Sequence, residues 1–165
     1  RLALVPTDKN STTTGASNFL FGQVHSYPSN FKEDGEHVHV KMAILSRLDQ
    51  PVNPTDITLI VEFYDSVNGS KIEQTRSNQP TAIWTTKPID WSTTNTEIVE
   101  WEYHMPKFSE HEINDFGKRT YHGFVARLYY KDLLQDIFAE PRTLLTPKRS
   151  DTNSIIDSSL FPNSN

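Results

Sequence analysis

Apolar and polar residues alternate along several separate runs of this chain. In the clearest run, residues 37–44, every second residue is apolar: Val38, Val40, Met42 and Ile44. Successive side chains of a β-strand point to opposite faces, so this alternation predicts a sheet with one buried and one solvent-facing side. Similar runs begin near positions 19, 57, 99 and 124. The pattern therefore predicts an all-β fold.

Turn signals separate these runs. Asn68-Gly69 favours a hairpin because both residues readily adopt positive φ, whereas the prolines at 51 and 54 indicate a loop. Residues 132–139 have the apolar spacing of a helix, but residues 129–132 suit a tight hairpin, so a final strand is favoured. About seven short strands with such turns predict an antiparallel β-sandwich, Ig-like or fibronectin-like. A lipocalin-type barrel is the alternative, and it would have more evenly spaced hairpins.

One short helix is encoded locally. Ser109 and Glu112 have the spacing of a capping box, in which each side chain satisfies the other residue's backbone N–H group. Phe108 and Ile113 flank the cap and can form a hydrophobic staple, and Gly117 provides a C-terminal stop. We expect about two helical turns in a crossover between strands.

The length of 165 residues fits one domain with tails. We expect a flexible N-terminal segment at 1–17, the Ig-like sandwich at 18–145 and a poorly ordered tail at 146–165. No apolar run approaches the roughly 20 residues that span a bilayer. The chain begins at Arg1, so we expect any signal peptide, lipid anchor or membrane helix to precede it. Membrane association is expected only through such a segment.

Composition argues against several classes of function. The net charge is −5 and the basic residues are scattered, which argues against binding to nucleic acid. The chain has no cysteine, which excludes disulfides, cysteine nucleophiles and cysteine metal sites. It also lacks a Gly-x-Ser-x-Gly motif, a phosphate loop and a dinucleotide fingerprint. We therefore expect a non-enzymatic protein without a cofactor.

The histidines provide a candidate metal site. His37 and His39 are two residues apart, so both project from the same strand face and could share an ion. A third ligand would come from a neighbouring strand, with His104, His25 or His122 as candidates. Outward strand positions often carry histidine for no special reason, so a metal site is the less favoured interpretation.

Two carboxylates share a strand face in the same way. Glu100 and Glu102 lie beside His104, a spacing that would suit glycosidase chemistry if a cleft were present. Any half-exposed strand alternates polar and apolar residues in this manner, so a solvated face is the favoured interpretation.

The tryptophans are concentrated between positions 84 and 101. Trp101 belongs to an apolar face and is expected in the core. Trp84 and Trp91 flank a bend at Lys87-Pro88 and, together with Tyr27, are candidate contact residues for a partner protein or for sugars. Core packing of the two tryptophans is the alternative, and we favour it.

A family resemblance rests on the segments at 61–65, 68–69, 71–72, 123–130, 134–136 and 139–141. They resemble small Ig-like envelope proteins encoded beside type IV pilus machinery in Gram-negative bacteria, over residues 37–145. The resemblance implies an extracytoplasmic protein of the periplasm, outer membrane or cell surface, which binds envelope or pilus proteins and has no active site. Residues 1–5 would then be the remnant of an anchor or a pilin-like helix. A carbohydrate-binding module that uses exposed tryptophans to bind glycans is the alternative.

Overall fold

Nine β-strands form two antiparallel sheets in a computed structural model that describes residues 11–13, 17–29, 33–76 and 80–146. The strands are β1 Ser11–Thr13, β2 Phe19–Pro28, β3 Gly35–Ser46, β4 Ile57–Val67, β5 Lys71–Gln74, β6 Ile83–Trp84, β7 Thr96–Pro106, β8 Arg119–Tyr130 and β9 Leu133–Glu140. One α-helix, α1, spans Glu110–Phe116, and short 3-10 helices span Pro54–Asp56 and Arg142–Leu145.

The strand order identifies the architecture. One sheet has the order β2-β3-β7-β6, and the other has the order β1-β9-β8-β4-β5. Without β1, these orders correspond to strands A-B-E-D and G-F-C-C′ of the immunoglobulin arrangement. The predicted all-β antiparallel sandwich is therefore confirmed, and the two separate sheets argue against the barrel alternative.

The core lies between the two sheets and consists of the apolar positions that alternate along the strands. The residues at every second position of 38–44 are all buried, as the sequence predicts. The largest fully buried side chains are aromatic: Phe19, Phe21, Phe63, Tyr103, Phe124 and Phe138. Phe63 and Tyr103, from opposite sheets, meet edge to face with ring centroids 5.4 Å apart. Such aromatic contacts stabilise the packing of one sheet on the other.

The predicted turns and the helix are present. Asn68 and Gly69 have φ of 52° and 72° at the β4–β5 turn. Lys131 and Asp132 have φ of 48° and 64° in the two-residue β8–β9 turn, and positive φ at both residues is the backbone of a type I′ hairpin. The final strand that the sequence favours is therefore present as Leu133–Glu140.

The capping box of α1 is also confirmed. The Ser109 hydroxyl accepts from the Glu112 backbone N–H at 3.3 Å, and the Glu112 carboxylate accepts from the Ser109 backbone N–H at 2.8 Å. Gly117 ends the helix with φ of 78° and donates its N–H to the carbonyl of Ile113. The helix joins β7 in one sheet to β8 in the other, which is the expected crossover.

The structure differs from the predicted organisation in two details. Residues 11–13 were expected to be part of a flexible segment, but they form β1 and pair with β9. The sequence of residues 83–89 predicts a short strand bent at Pro88, but the strand is limited to Ile83–Trp84, because residues 86–95 leave the sheet and form a loop. Residues 1–10, 14–16 and 147–165 lie outside the described residues, so the predictions for them stay predictions.

A buried ionic network joins the two sheets near α1. The guanidinium of Arg119, with its side chain only 2% exposed, contacts Asp65 at 3.1 Å and Glu73 at 2.6 Å. The same side chain donates from Nε to the Phe116 carbonyl at 3.2 Å. Asp65 also accepts from the Tyr103 hydroxyl at 2.8 Å, which connects β4 to β7 in the other sheet. Desolvation and the Asp65 carboxylate raise the pKa of Tyr103.

None of the helices within the described ranges combines the length and the apolar character needed to cross a bilayer.

Candidate functional site

The outward side of the β2-β3-β7-β6 sheet collects four of the six histidines. Directly opposed residues of antiparallel strands point to the same face, so the register defines the set. We call this surface the histidine face. It comprises His25 and Tyr27 of β2, His37, His39 and Lys41 of β3, Ile83 of β6, and Glu100, Glu102 and His104 of β7.

Two histidines and two carboxylates form a cluster at the end of this face. His37 lies directly opposite His104, and the two imidazole rings stack with centroids 4.1 Å apart. His37 Nε2 lies 3.0 Å from Asp34 Oδ1, and His104 Nε2 lies 3.5 Å from Asp34 Oδ2. His37 Nδ1 lies 2.6 Å from Glu102 Oε1. We call Asp34, His37, Glu102 and His104 the imidazole cluster.

The members of the imidazole cluster differ in their contact with solvent. His37 is buried, His104 is half-buried, and the Asp34 side chain is 60% exposed. Hydrogen bonding with His37 is the largest influence on Asp34 and holds the pKa of that carboxyl below its usual range. Asp34 therefore carries negative charge beside two ring nitrogens at neutral pH.

His39 is not a member of the cluster, which corrects the predicted pairing of His37 with His39. Its ring stacks on Tyr27 with centroids 5.5 Å apart, and its Nε2 lies 3.9 Å from Glu102. Residues two apart on one strand are separated by two rises of about 3.3 Å, whereas directly opposed residues have Cβ atoms only about 4.5–5.5 Å apart. His104, the cross-strand partner, is therefore nearer to His37 than His39 is.

The other two candidate third ligands are also placed by the register. His25 lies on the histidine face but pairs with Lys41, away from the imidazole cluster. His122 lies on β8 of the other sheet, where it lines a groove beside β5. Of the three candidates, only His104 is brought to His37.

The carboxylates of β7 share one face, as predicted. The Lys41 ammonium lies 3.2 Å from Glu100, and Glu102 contacts His37 as described. Both carboxylates therefore have cationic or imidazole neighbours on the same face. This arrangement organises the histidine face as a set of cross-strand polar pairs.

The tryptophans mostly belong to the core. Trp91 is only 6% exposed, donates from Nε1 to the carbonyl of Ile44 at 2.9 Å and meets the Phe19 ring edge to face. The interpretation of Trp91 as an exposed platform is therefore wrong, and the favoured core packing is confirmed for it. Trp91 lies in the loop at 86–95 and has a φ of 54°.

Trp84 and Tyr27 have different environments. Trp84 lies opposite the inward-facing Val99 and is half-buried, with its ring perpendicular to that of Trp91 at 5.9 Å. Tyr27 is 48% exposed on the histidine face. Trp101 is buried, as expected. Of the three candidate contact residues, Tyr27 is the one exposed on the outward face of a sheet.

An apolar cavity of about 490 Å³ adjoins the imidazole cluster. It lies between α1 and the ends of β2, β3 and β7. Both residues of the predicted hydrophobic staple contribute to its wall, and so does His37. Its lining includes Pro28, Gly35, His37, Met105, Phe108 and Ile113.

Sequence reasoning missed Asp34 as a member of this site. Asp34 lies in the turn before β3, and its Asp-Gly step three residues before His37 is the signal that could have located it. Glu102 was noticed only as a possible catalytic carboxylate, whereas its contact is with the His37 ring. Both roles depend on the register of β3 against β7, which the sequence alone does not specify.

Comparison with protein-family models, with curated proteins and with solved structures finds no match for this chain.

Proposed function

We propose that this chain is a non-enzymatic binding module of the bacterial cell envelope and that the histidine face is its contact surface for a partner protein. The observation that carries the proposal is the exposure of two large side chains on that face: Tyr27 at 48% and Ile83 at 60%. The envelope location, and an association with type IV pilus proteins, rest on the resemblance of the sequence segments described above.

The composition of the histidine face suits a protein contact. Tyr27 lies on β2 and Ile83 on β6, so the two exposed apolar groups occupy opposite edges of the sheet. Between them lie charged and imidazole side chains, including the Lys41–Glu100 ion pair. Protein interfaces typically combine aromatic anchors with a polar surround, and tyrosine is enriched among residues that contribute most to binding.

The edge of β2 offers a second element for the same partner. A sheet edge presents unpaired backbone groups to which an extended segment can add. Near its beginning this edge is occupied, because Asp136 accepts from the backbone N–H of Phe21 at 2.9 Å. The accessible part is therefore the later half of β2, which carries Tyr27.

Sugar binding is the alternative function. It was based on Trp84 and Trp91 as stacking platforms, and the burial of Trp91 removes one of them. Trp84 and Tyr27 remain as aromatic surfaces for a glycan. Retention of the purified protein on a glycan resin would favour this alternative.

The test is a cross-linked pull-down of the tagged protein from its native cells, read by mass spectrometry. We compare the wild type with Tyr27→Arg and with Ile60→Arg, which places the same charge on an exposed position of the other sheet. Recovery of envelope proteins by the wild type and Ile60→Arg, with loss in Tyr27→Arg, is the expected result. Equal recovery by all three proteins would contradict a contact through the histidine face.

A further inference from the structure

We propose that Asp34, His37 and His104 form a binding site for one divalent transition-metal ion, with zinc as the reference ion. The proposal is independent of the partner-binding function, because it concerns the purified chain. The ligand atoms available from these three residues all lie within 4.8 Å of one another.

Each ring nitrogen of His37 contacts a carboxylate. Glu102 Oε1 lies 2.6 Å from His37 Nδ1, and an ionised carboxylate only accepts, so the Nδ1–H group donates. A neutral ring then has its lone pair on Nε2, and this atom faces a second carboxylate, Asp34 Oδ1, at 3.0 Å. Two acceptors at that distance require a positive centre between them. Either a proton on Nε2 or a metal ion supplies it.

The spacing of the ligand atoms is close to that around a zinc ion. Two ligands bound at about 2.0–2.1 Å to a tetrahedral zinc ion lie about 3.3 Å apart. The nitrogen of His37 and that of His104 lie 3.0 and 3.5 Å from the two Asp34 oxygens, on either side of this value. Either a proton on each ring or one ion bound by all three residues accounts for both contacts. The titration below distinguishes the two.

Binding requires one local adjustment. The two imidazole rings stack with an interplanar angle of 14°, so their lone pairs lie in two separate, nearly parallel planes. For both nitrogens to bind one ion, the rings must turn about χ2, which is a broad torsion in histidine. His104 is half-buried and Asp34 is exposed, so these ligands can adjust without disturbing the core.

Glu102 acts as a positioning residue. Metal-binding histidines almost always donate their second ring N–H group to a carboxylate or carbonyl, which sets the tautomer and orients the ring. The contact of Glu102 with His37 has this form. Two imidazole nitrogens and one carboxylate oxygen form a donor set that suits zinc, copper or nickel better than calcium or magnesium. Three protein ligands leave a position for water.

The experiment is calorimetric titration of Zn²⁺ into the full-length protein from which any affinity tag has been removed. We compare the wild type with Asp34→Asn and His104→Ala, since both side chains reach solvent and their loss leaves the core intact. His111→Ala is the matched control, because His111 and Asp115 form an exposed pair on α1 with a 3.0 Å contact. Titration with Co²⁺ provides a visible absorption signature of the coordination geometry.

We expect one Zn²⁺ per wild-type chain, at least tenfold weaker binding in Asp34→Asn and in His104→Ala, and a change of less than twofold in His111→Ala. Co²⁺ should give tetrahedral absorption bands that are lost in Asp34→Asn. The absence of saturable binding to the wild type would overturn the proposal and assign a proton to His37 Nε2. An equal effect of His111→Ala would also overturn it, because any exposed His–Asp pair would then suffice.

Discussion

The buried network around Arg119 leads to a specific stability prediction. Arg119→Met keeps much of the side-chain volume but removes the donors to Asp65, Glu73 and the Phe116 carbonyl. Asp65 has no exposed surface, so its carboxylate would lose its positive partner while still out of contact with water. The hydrogen bond from Tyr103 is then its remaining described side-chain contact.

The magnitude follows from the burial of both partners. Removal of one partner from a buried ion pair costs about 3–5 kcal/mol, because an uncompensated charge is left in the interior. For a domain of this size, roughly 4 °C of melting temperature corresponds to 1 kcal/mol, so the loss is roughly 12–20 °C. Asp65→Asn in the Arg119→Met background removes that charge, so the double variant should be more stable than Arg119→Met alone.

Urea unfolding followed by tryptophan fluorescence measures these differences, with thermal melting as a second probe. Arg127→Met is the control, because the Arg127–Glu62 pair has a similar contact of 2.6 Å but is partly exposed. We expect the control to lose about 1 kcal/mol or less. A loss in Arg119→Met no larger than in the control would refute the reasoning. A double variant less stable than Arg119→Met would show that the cost comes from lost packing.

Three further predictions concern single residues. Ser109→Ala removes the cap of α1 and should lower the free energy of unfolding by about 1 kcal/mol in the same urea assay. Asp132→Gly relieves a positive φ in the β8–β9 turn and should raise the melting temperature; a lower value would contradict the type I′ backbone. The contacts of Glu73 with Lys71 and Arg119 lower its pKa from 4.5 to about 2. The stabilising effect of Glu73 should therefore be complete above about pH 4.5 and be lost as the pH falls towards 2. In urea titrations, the difference in free energy of unfolding between the wild type and Glu73→Gln should shrink over that interval.

Local signals in the sequence predicted most of the fold. Alternation identified the inward positions of β3, and the capping residues Ser109 and Glu112 located α1, because both patterns depend on near neighbours in the chain. The β8–β9 hairpin was harder to predict, since neither Lys131 nor Asp132 is glycine. The strand was favoured because residues 129–132 suit a tight hairpin, although residues 132–139 have the apolar spacing of a helix.

The candidate site was less predictable because it depends on pairing between strands. The sequence placed His37 on an outward face but linked it to His39, the nearest histidine along the strand. Its contacts with Asp34 and His104 follow from the turn before β3 and from the register of β3 against β7. Trp91 was uncertain for a similar reason, since a long-range loop conformation decides whether its ring is buried.

The buried charges were also beyond prediction. Asp65 occupies an inward position of β4, where a carboxylate is costly without a partner. An acidic residue at that position indicates a buried ion pair. The neighbouring sequence does not identify the partner, because Arg119 is 54 residues away. Partners at such separations are defined only by the assembled sheets.

Site-specific photo-cross-linking in native cells tests the proposed contact surface most directly. A photoreactive amino acid replaces Tyr27 on the histidine face in one protein and the exposed Leu133, on β9 of the other sheet, in a second. We predict a discrete adduct with an envelope protein from position 27 and none from position 133. Adducts of equal yield from both positions, or adducts from position 133 alone, would contradict the assignment of the histidine face as the contact surface.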